Sequence, residues 1–133
     1  LVLLKKTIPF YIYKNTEGKK IFLSHAGCSW NTIRHFENNQ YDKEPKEMKD
    51  YLRKELTWNR KHNVAYKPCE FDYQVFGHTP IPYIIPEEEF MKDPGVHYFD
   101  NGHKINIDCG TYATNIGILF DLDTFDEHIF QIK

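Results

Sequence analysis

Ile21-Phe22-Leu23-Ser24-His25-Ala26-Gly27 and Val75-Phe76-Gly77-His78-Thr79-Pro80 are the two stretches on which the reading of this chain turns. Each is an apolar run rich in aromatic and β-branched residues, the composition of a buried strand, and each ends in a histidine followed by small or turn-forming residues. A side chain at a strand end has a rigid support beneath it and room in front of it, which is what a metal ligand or a phosphate contact needs. Histidine is also a common half-buried residue, so spacing alone leaves open a second reading in which His25 and His78 only close their strands. The two readings differ in geometry. Imidazoles that serve one ion must bring ring nitrogens within roughly 5 Å of each other, because each reaches the metal at about 2.1 Å.

Outward from these strands, Phe10–Lys14 and 21–24 are separated by Asn15-Thr16-Glu17-Gly18, residues that tolerate positive φ, and read as a β-hairpin ending at His25. Ser29 is placed to cap a short helix carrying Trp30, Ile33 and Phe36 on one side, and the polar stretch 38–42 reads as a loop. Pro45 suits a first helical turn, and Met48, Tyr51, Leu52 and Leu56 follow at helical spacing with Asp50 and Lys54 paired on the outer face. This predicts an amphipathic helix that places Thr57-Trp58-Asn59-Arg60 at or just beyond its C-terminal end. Residues 71–76 form the strand leading to His78, after which Pro80, Pro82 and Pro86 predict an extended, irregular segment. The C-terminal third reads as a β-meander: 96–99, the turn signal Asp100-Asn101-Gly102, 103–107, 116–122 and 128–132. The fold class expected is α+β, mainly one mixed sheet and a C-terminal β-meander with one or two helices.

A length of 133 residues fits a single domain over 1–133. Aromatic content is high at 16%, while charged residues at 27% and a mean hydropathy of −0.63 exclude both a membrane protein and a disordered one. A formal net charge of −2 gives no general attraction to nucleic acid, so an RNA- or DNA-binding β-domain, which the aromatic content would allow, lacks its basic surplus. Three cysteines, Cys28, Cys69 and Cys109, show no CxxC spacing and indicate neither a disulfide framework nor a structural zinc knot, so a reducing, cytoplasmic location is expected. No run approaches the roughly 18 apolar residues of a spanning helix, and residues 1–4 are too short for a signal segment. The chain opens on Leu-Val-Leu-Leu without methionine, which leads us to expect part of a longer protein.

Taken in order, the segments resemble the second half of a calcineurin-like metallophosphoesterase, in the branch of the serine/threonine protein phosphatases and diadenosine tetraphosphatases. Ser24-His25-Ala26-Gly27 is similar to that family's HAG motif and Phe76-Gly77-His78-Thr79 to its GHT motif. Leu56-Thr57-Trp58-Asn59-Arg60 resembles its L-x-W-x-R segment, Ile105-Asn106-Ile107-Asp108-Cys109-Gly110 its I-x-I-D-T-G strand, and Gly117-Ile118-Leu119-Phe120-Asp121-Leu122 its closing strand. The resemblance implies a four-layer β-sandwich and a two-metal phosphoester hydrolase, with Mn, Fe or Zn as the ions. There a water or hydroxide held between the ions attacks phosphorus while an arginine clamps the phosphate in a forked geometry. Carried over residue by residue, His25 and His78 are metal ligands, mainly of one ion. Arg60 is the phosphate clamp, positioned by Trp58 and Asn59. Asp108 lies behind the second histidine, where its carboxylate could accept the other ring N–H; it also suits a turn ahead of Gly110. Tyr112 stands where the phosphatases carry a tyrosine near the active site.

The chain departs from the family in lacking the GD-x-HG, GD-x-x-DRG and GNHE motifs, which supply the remaining ligands, the bridging carboxylate and the general acid. One ion is left with two ligands and the other with none. The expectation is therefore an inactive chain, binding at most one ion weakly, from a parent that hydrolyses a phosphoprotein or a dinucleoside polyphosphate. Strand faces left uncovered by the missing half would favour self-association. Stretches 37–51 and 83–95 are the candidate selectivity loops. The alternative is a non-catalytic, β-rich binding or interaction domain.

Overall fold

A computed structural model describes residues 8–60 and 68–133. Residues 1–4, weighed above as a signal segment, lie outside them. Strands β1 (Phe10–Lys14), β2 (Lys20–Ala26), β3 (Tyr73–Gly77), β4 (His97–Phe99) and β5 (Lys104–Asn106) form a five-stranded mixed sheet in the order β1-β2-β3-β5-β4. Strands β6 (Ile116–Phe120) and β7 (Glu127–Gln131) form a separate two-stranded antiparallel sheet. The chain is a mixed α+β fold.

The first hairpin forms where the sequence places it. Asn15 Oδ1 accepts hydrogen bonds from the backbone N–H groups of Glu17 (3.1 Å) and Lys19 (2.8 Å), and Gly18 supplies the left-handed step at φ +81°. From β2 the chain must cross over to reach β3, because the two run parallel. It does so through helical segments that cover one face of the sheet. Ser29 caps the one-turn helix Trp30–Ile33, its Oγ accepting from Thr32 N–H at 3.1 Å, and a 3-10 segment Arg34–Asn39 follows. The stretch 38–42, expected as loop, is more ordered: Asn38 and Asn39 take left-handed backbone, which asparagine tolerates, and start the turn of helix Gln40–Lys43. The long helix Lys46–Trp58 begins after Pro45 and buries Leu52 and Leu56 against Phe22, Trp30, Ile33, Phe36 and Phe71. Each such buried leucine stabilises by about 1.5–3 kcal/mol.

Two expectations need correction. The segment after His78 is not simply extended: Pro80 is the N-cap of a 3-10 turn Ile81–Tyr83 that holds Pro82 in its first turn, and Pro86 is the N-cap of the helix Glu87–Lys92, so the prolines open helical turns instead of breaking structure. The C-terminal third is not one meander, and there are more helical turns than the one or two expected. β4 and β5 do pair antiparallel across Asp100-Asn101-Gly102, but β5 also pairs in parallel with β3 and so completes the large sheet. The β6–β7 hairpin instead lies against the other face of that sheet. Apolar burial decides this: Ile116 and Ile118 pack with Ile81, Phe90 and Cys109, while Phe120, Leu122 and Phe125 cover Ile21, Val75 and Ile105. Among the described residues no helix is long and apolar enough to cross a membrane.

Candidate functional site

Because β2, β3 and β5 are parallel neighbours, their C-terminal ends fall on one edge of the sheet, the place where open α/β sheets gather ligand-binding loops. Three of the residues singled out in the sequence emerge there. His25 is the penultimate residue of β2, His78 follows β3 directly, and Asp108 lies two residues beyond β5. The β2–β3 register shifts between Leu23 and Ala26, a bulge of the kind that re-aims a strand-end side chain. The three strand ends lie close together at Gly77, where a Cβ would make ordinary van der Waals contact with Asp108 Cβ at 3.4 Å and His25 O at 3.7 Å. His78 itself takes left-handed backbone at φ +72°, an unfavourable conformation for a residue with a Cβ.

His25 Nε2 and His78 Nδ1 are 3.0 Å apart, with the rings tilted by 58°. Two nitrogens each about 2.1 Å from one ion, at roughly a right angle, would be separated by about 3.0 Å. The pair therefore fits a single divalent ion as well as it fits a ring-to-ring hydrogen bond. Burial, then the neighbouring His25, then the Arg60 guanidinium push the His78 pKa below the usual histidine value, so the ring is held neutral with a lone pair to give. Among the described residues, its Nε2 and the Thr79 hydroxyl are buried without a hydrogen-bond partner. Among the described residues, no group of three or more His, Cys, Asp or Glu side chains is arranged to hold an ion. The imidazoles thus fit part of a coordination shell and not the whole of one.

The other expected site residues surround this pair in different ways. Asp108 does not accept from the His78 ring. Its Oδ1 accepts from Gly110 N–H at 3.0 Å, because Gly110, left-handed at φ +64°, turns the chain back onto the carboxylate, and Asp108 acts on His78 through its charge alone. Arg60 lies exposed just past the helix, close enough for its charge to act on His78. Trp58 meets His78 edge-to-face at 5.6 Å and is 66% exposed, forming a wall of the site. Asn59 donates its side-chain N–H to Glu55 Oε2 at 3.0 Å and so finishes the helix. Tyr112 stands 75% exposed on the turn Thr111–Thr114, with its phenol hydrogen-bonded to that of Tyr83, and feels the site only through the charge of Asp108.

A cleft of about 370 Å³ opens beside the imidazoles, between Leu23, His25, His78, Ile107 and Asp108. A larger hollow of about 560 Å³ lies on the other side of His25, lined by Phe10, Tyr11, Leu23, Arg53 and Thr57. The sequence reading passed over three fully buried polar side chains beneath the site, Gln74, Lys104 and Asn106. Their signal was present as Gln74 among the apolar residues of β3 and as Lys104 and Asn106 flanking Ile105 in β5. No family model, curated protein or solved structure matches this chain.

Proposed function

We propose that the chain is the histidine-bearing part of a metal-dependent phosphoester hydrolase of the calcineurin-like type, with its sheet as one layer of that family's sandwich. The observation that carries this reading is the 3.0 Å approach of His25 Nε2 to His78 Nδ1 at the C-terminal edge of the parallel strands. It supports the hydrolase over a non-catalytic interaction domain, which places no constraint on the ring separation. His25 and His78 present imidazole nitrogens to one divalent ion, Mn, Fe or Zn. When bound, the ions of such a site lower the pKa of a water and neutralise phosphate oxygens. Arg60, exposed just past the helix end, offers a forked, charged pair of N–H donors to a phosphate beside the ring pair. Trp58 shields one side of the site from water.

With His25 and His78 as its two ligands among the described residues, the polypeptide alone is expected to hold one ion weakly and to turn nothing over. The test is titration with Mn2+ and Ni2+ beside a p-nitrophenyl phosphate assay. We expect one weak site, lost in His25→Ala and in His78→Ala, and no turnover above the metal blank. Absence of binding, or binding indifferent to both substitutions, refutes the ligand assignment. Turnover that disappears in His78→Ala refutes the expected inactivity.

A further inference from the structure

Strands buried on both faces in a parallel sheet are ordinarily apolar. Here the helix-covered face carries Gln74 and Lys104 side by side in register, with Asn106 one step further along β5, and all three are fully buried. A polar head with no water around it is costly unless it is bonded, and a lysine most of all. Their bonds go to the two turns that carry the histidines. Lys104 Nζ donates to the Cys28 carbonyl at 2.9 Å and lies over the Trp30 ring at 5.5 Å. With its amide oriented so that both ends are satisfied, Gln74 spans the Cys28 backbone, accepting from Cys28 N–H at 3.0 Å and donating to its carbonyl at 3.2 Å. Asn106 Nδ2 donates to the Thr79 carbonyl at 2.8 Å, and its Oδ1 accepts from Asp108 N–H at 3.0 Å. Cys28 is three residues beyond His25, and Thr79 directly follows His78.

We infer that Gln74, Lys104 and Asn106 are positioning residues, a buried polar clamp that holds the His25 and His78 turns at the spacing one divalent ion requires. This rests on the reading of the two histidines as ligands. Stability alone gives no reason for such a clamp, since apolar residues of similar volume at buried polar positions are often as stable or more so. The left-handed backbone of His78 supplies the reason. A conformation costing about 1–3 kcal/mol persists only where its surroundings over-determine it, and Asn106 holds the carbonyl of the next residue, Thr79. Groups that orient ligands from behind typically contribute 10–100-fold to metal affinity.

The test uses Ni2+ alone as probe, with Lys104→Met, which keeps the stem and removes the ammonium, and Asn106→Leu, which removes both side-chain bonds at similar volume. Phe90→Leu, a core change in the cluster under the β6–β7 hairpin, serves as a comparison for general destabilisation. Both clamp variants are expected to weaken Ni2+ binding tenfold or more and to shift the imidazole nitrogen resonances of His25 and His78 in the metal-free protein. Phe90→Leu should leave Ni2+ affinity within twofold and the resonances in place. Folded clamp variants that bind Ni2+ like the wild type, with unchanged resonances, overturn the clamp and leave the ligand reading standing. A wild type that binds no Ni2+ overturns the ligand reading, and unshifted imidazole resonances in the variants then overturn the clamp separately. Should Asn106→Leu fail to fold, Lys104→Met carries the same comparison.

Discussion

Replacing His78 by alanine and by glycine separates what the imidazole does from what the backbone beneath it costs. Both changes delete the ring, with its contacts to His25 and Trp58 and its buried Nε2, so these effects cancel between the two variants. What remains is the left-handed backbone at φ +72°. A Cβ in that region costs about 1–2 kcal/mol. Glycine escapes that strain and gives up about 0.4–1 kcal/mol through the greater freedom of the unfolded chain. His78→Gly should therefore be more stable than His78→Ala by about 1 kcal/mol, or about 3–5 °C in melting temperature for a chain of this length. Urea unfolding of both variants at matched slope, followed by far-ultraviolet circular dichroism, measures the difference, and neither variant should retain the Ni2+ site. Alanine at least as stable as glycine would show that the turn after β3 is not held left-handed and that the strain assigned to it is absent.

The thiols give a second check: burial pushes the Cys28 pKa up to about 12 and Cys109 is buried, while Cys69 is only partly covered. Burial raises the Cys69 pKa as well, so a thiol reagent at pH 8 should modify Cys69 first and reach the other two only in guanidinium. Burial, opposed by Glu89, also lowers the His97 pKa, and that ring sits edge-on to Phe99 at 4.5 Å. A histidine whose folded pKa is depressed contributes stability that is present above its unfolded value and is lost as pH falls through the folded one. The stability of the wild type should thus decline below about pH 6.5 more steeply than that of His97→Phe, and equal slopes would remove His97 from the explanation. Finally, Tyr11 and Ile12 on edge strand β1, with Leu119 and Phe130 on the β6–β7 hairpin, leave apolar surface exposed. Gel filtration should show a species larger than 15.9 kDa, and a clean monomer would count against association.

The strands and the long helix were legible because their signals are local. Alternation and β-branched content mark β1, β2 and β3, Asn15 and Gly18 mark the hairpin between the first two, and Met48, Leu52 and Leu56 recur on one helical face. Where local chemistry served two ends, the reading went astray. Pro80 and Pro86 can interrupt structure or begin a helical turn, and only the packing of Ile81 and Phe90 selected the second. Asp108 could have faced a ring or closed a turn, and the left-handed Gly110 drew it to its own backbone.

The sequence by itself determined that His25 and His78 each stand at the end of an apolar strand, since that follows from a handful of consecutive residues. Only the tertiary structure decided that these strands are parallel neighbours, and hence that two imidazoles 53 positions apart come within 3.0 Å. Periodicity encodes which residues share a face and not which strands pair. Pairing is set by the burial of both faces of the finished sheet, with the helical crossover on one side and the β6–β7 hairpin on the other. The same long-range packing turned Gln74, Lys104 and Asn106, unremarkable polar residues in the sequence, into the buried supports beneath the two histidine turns.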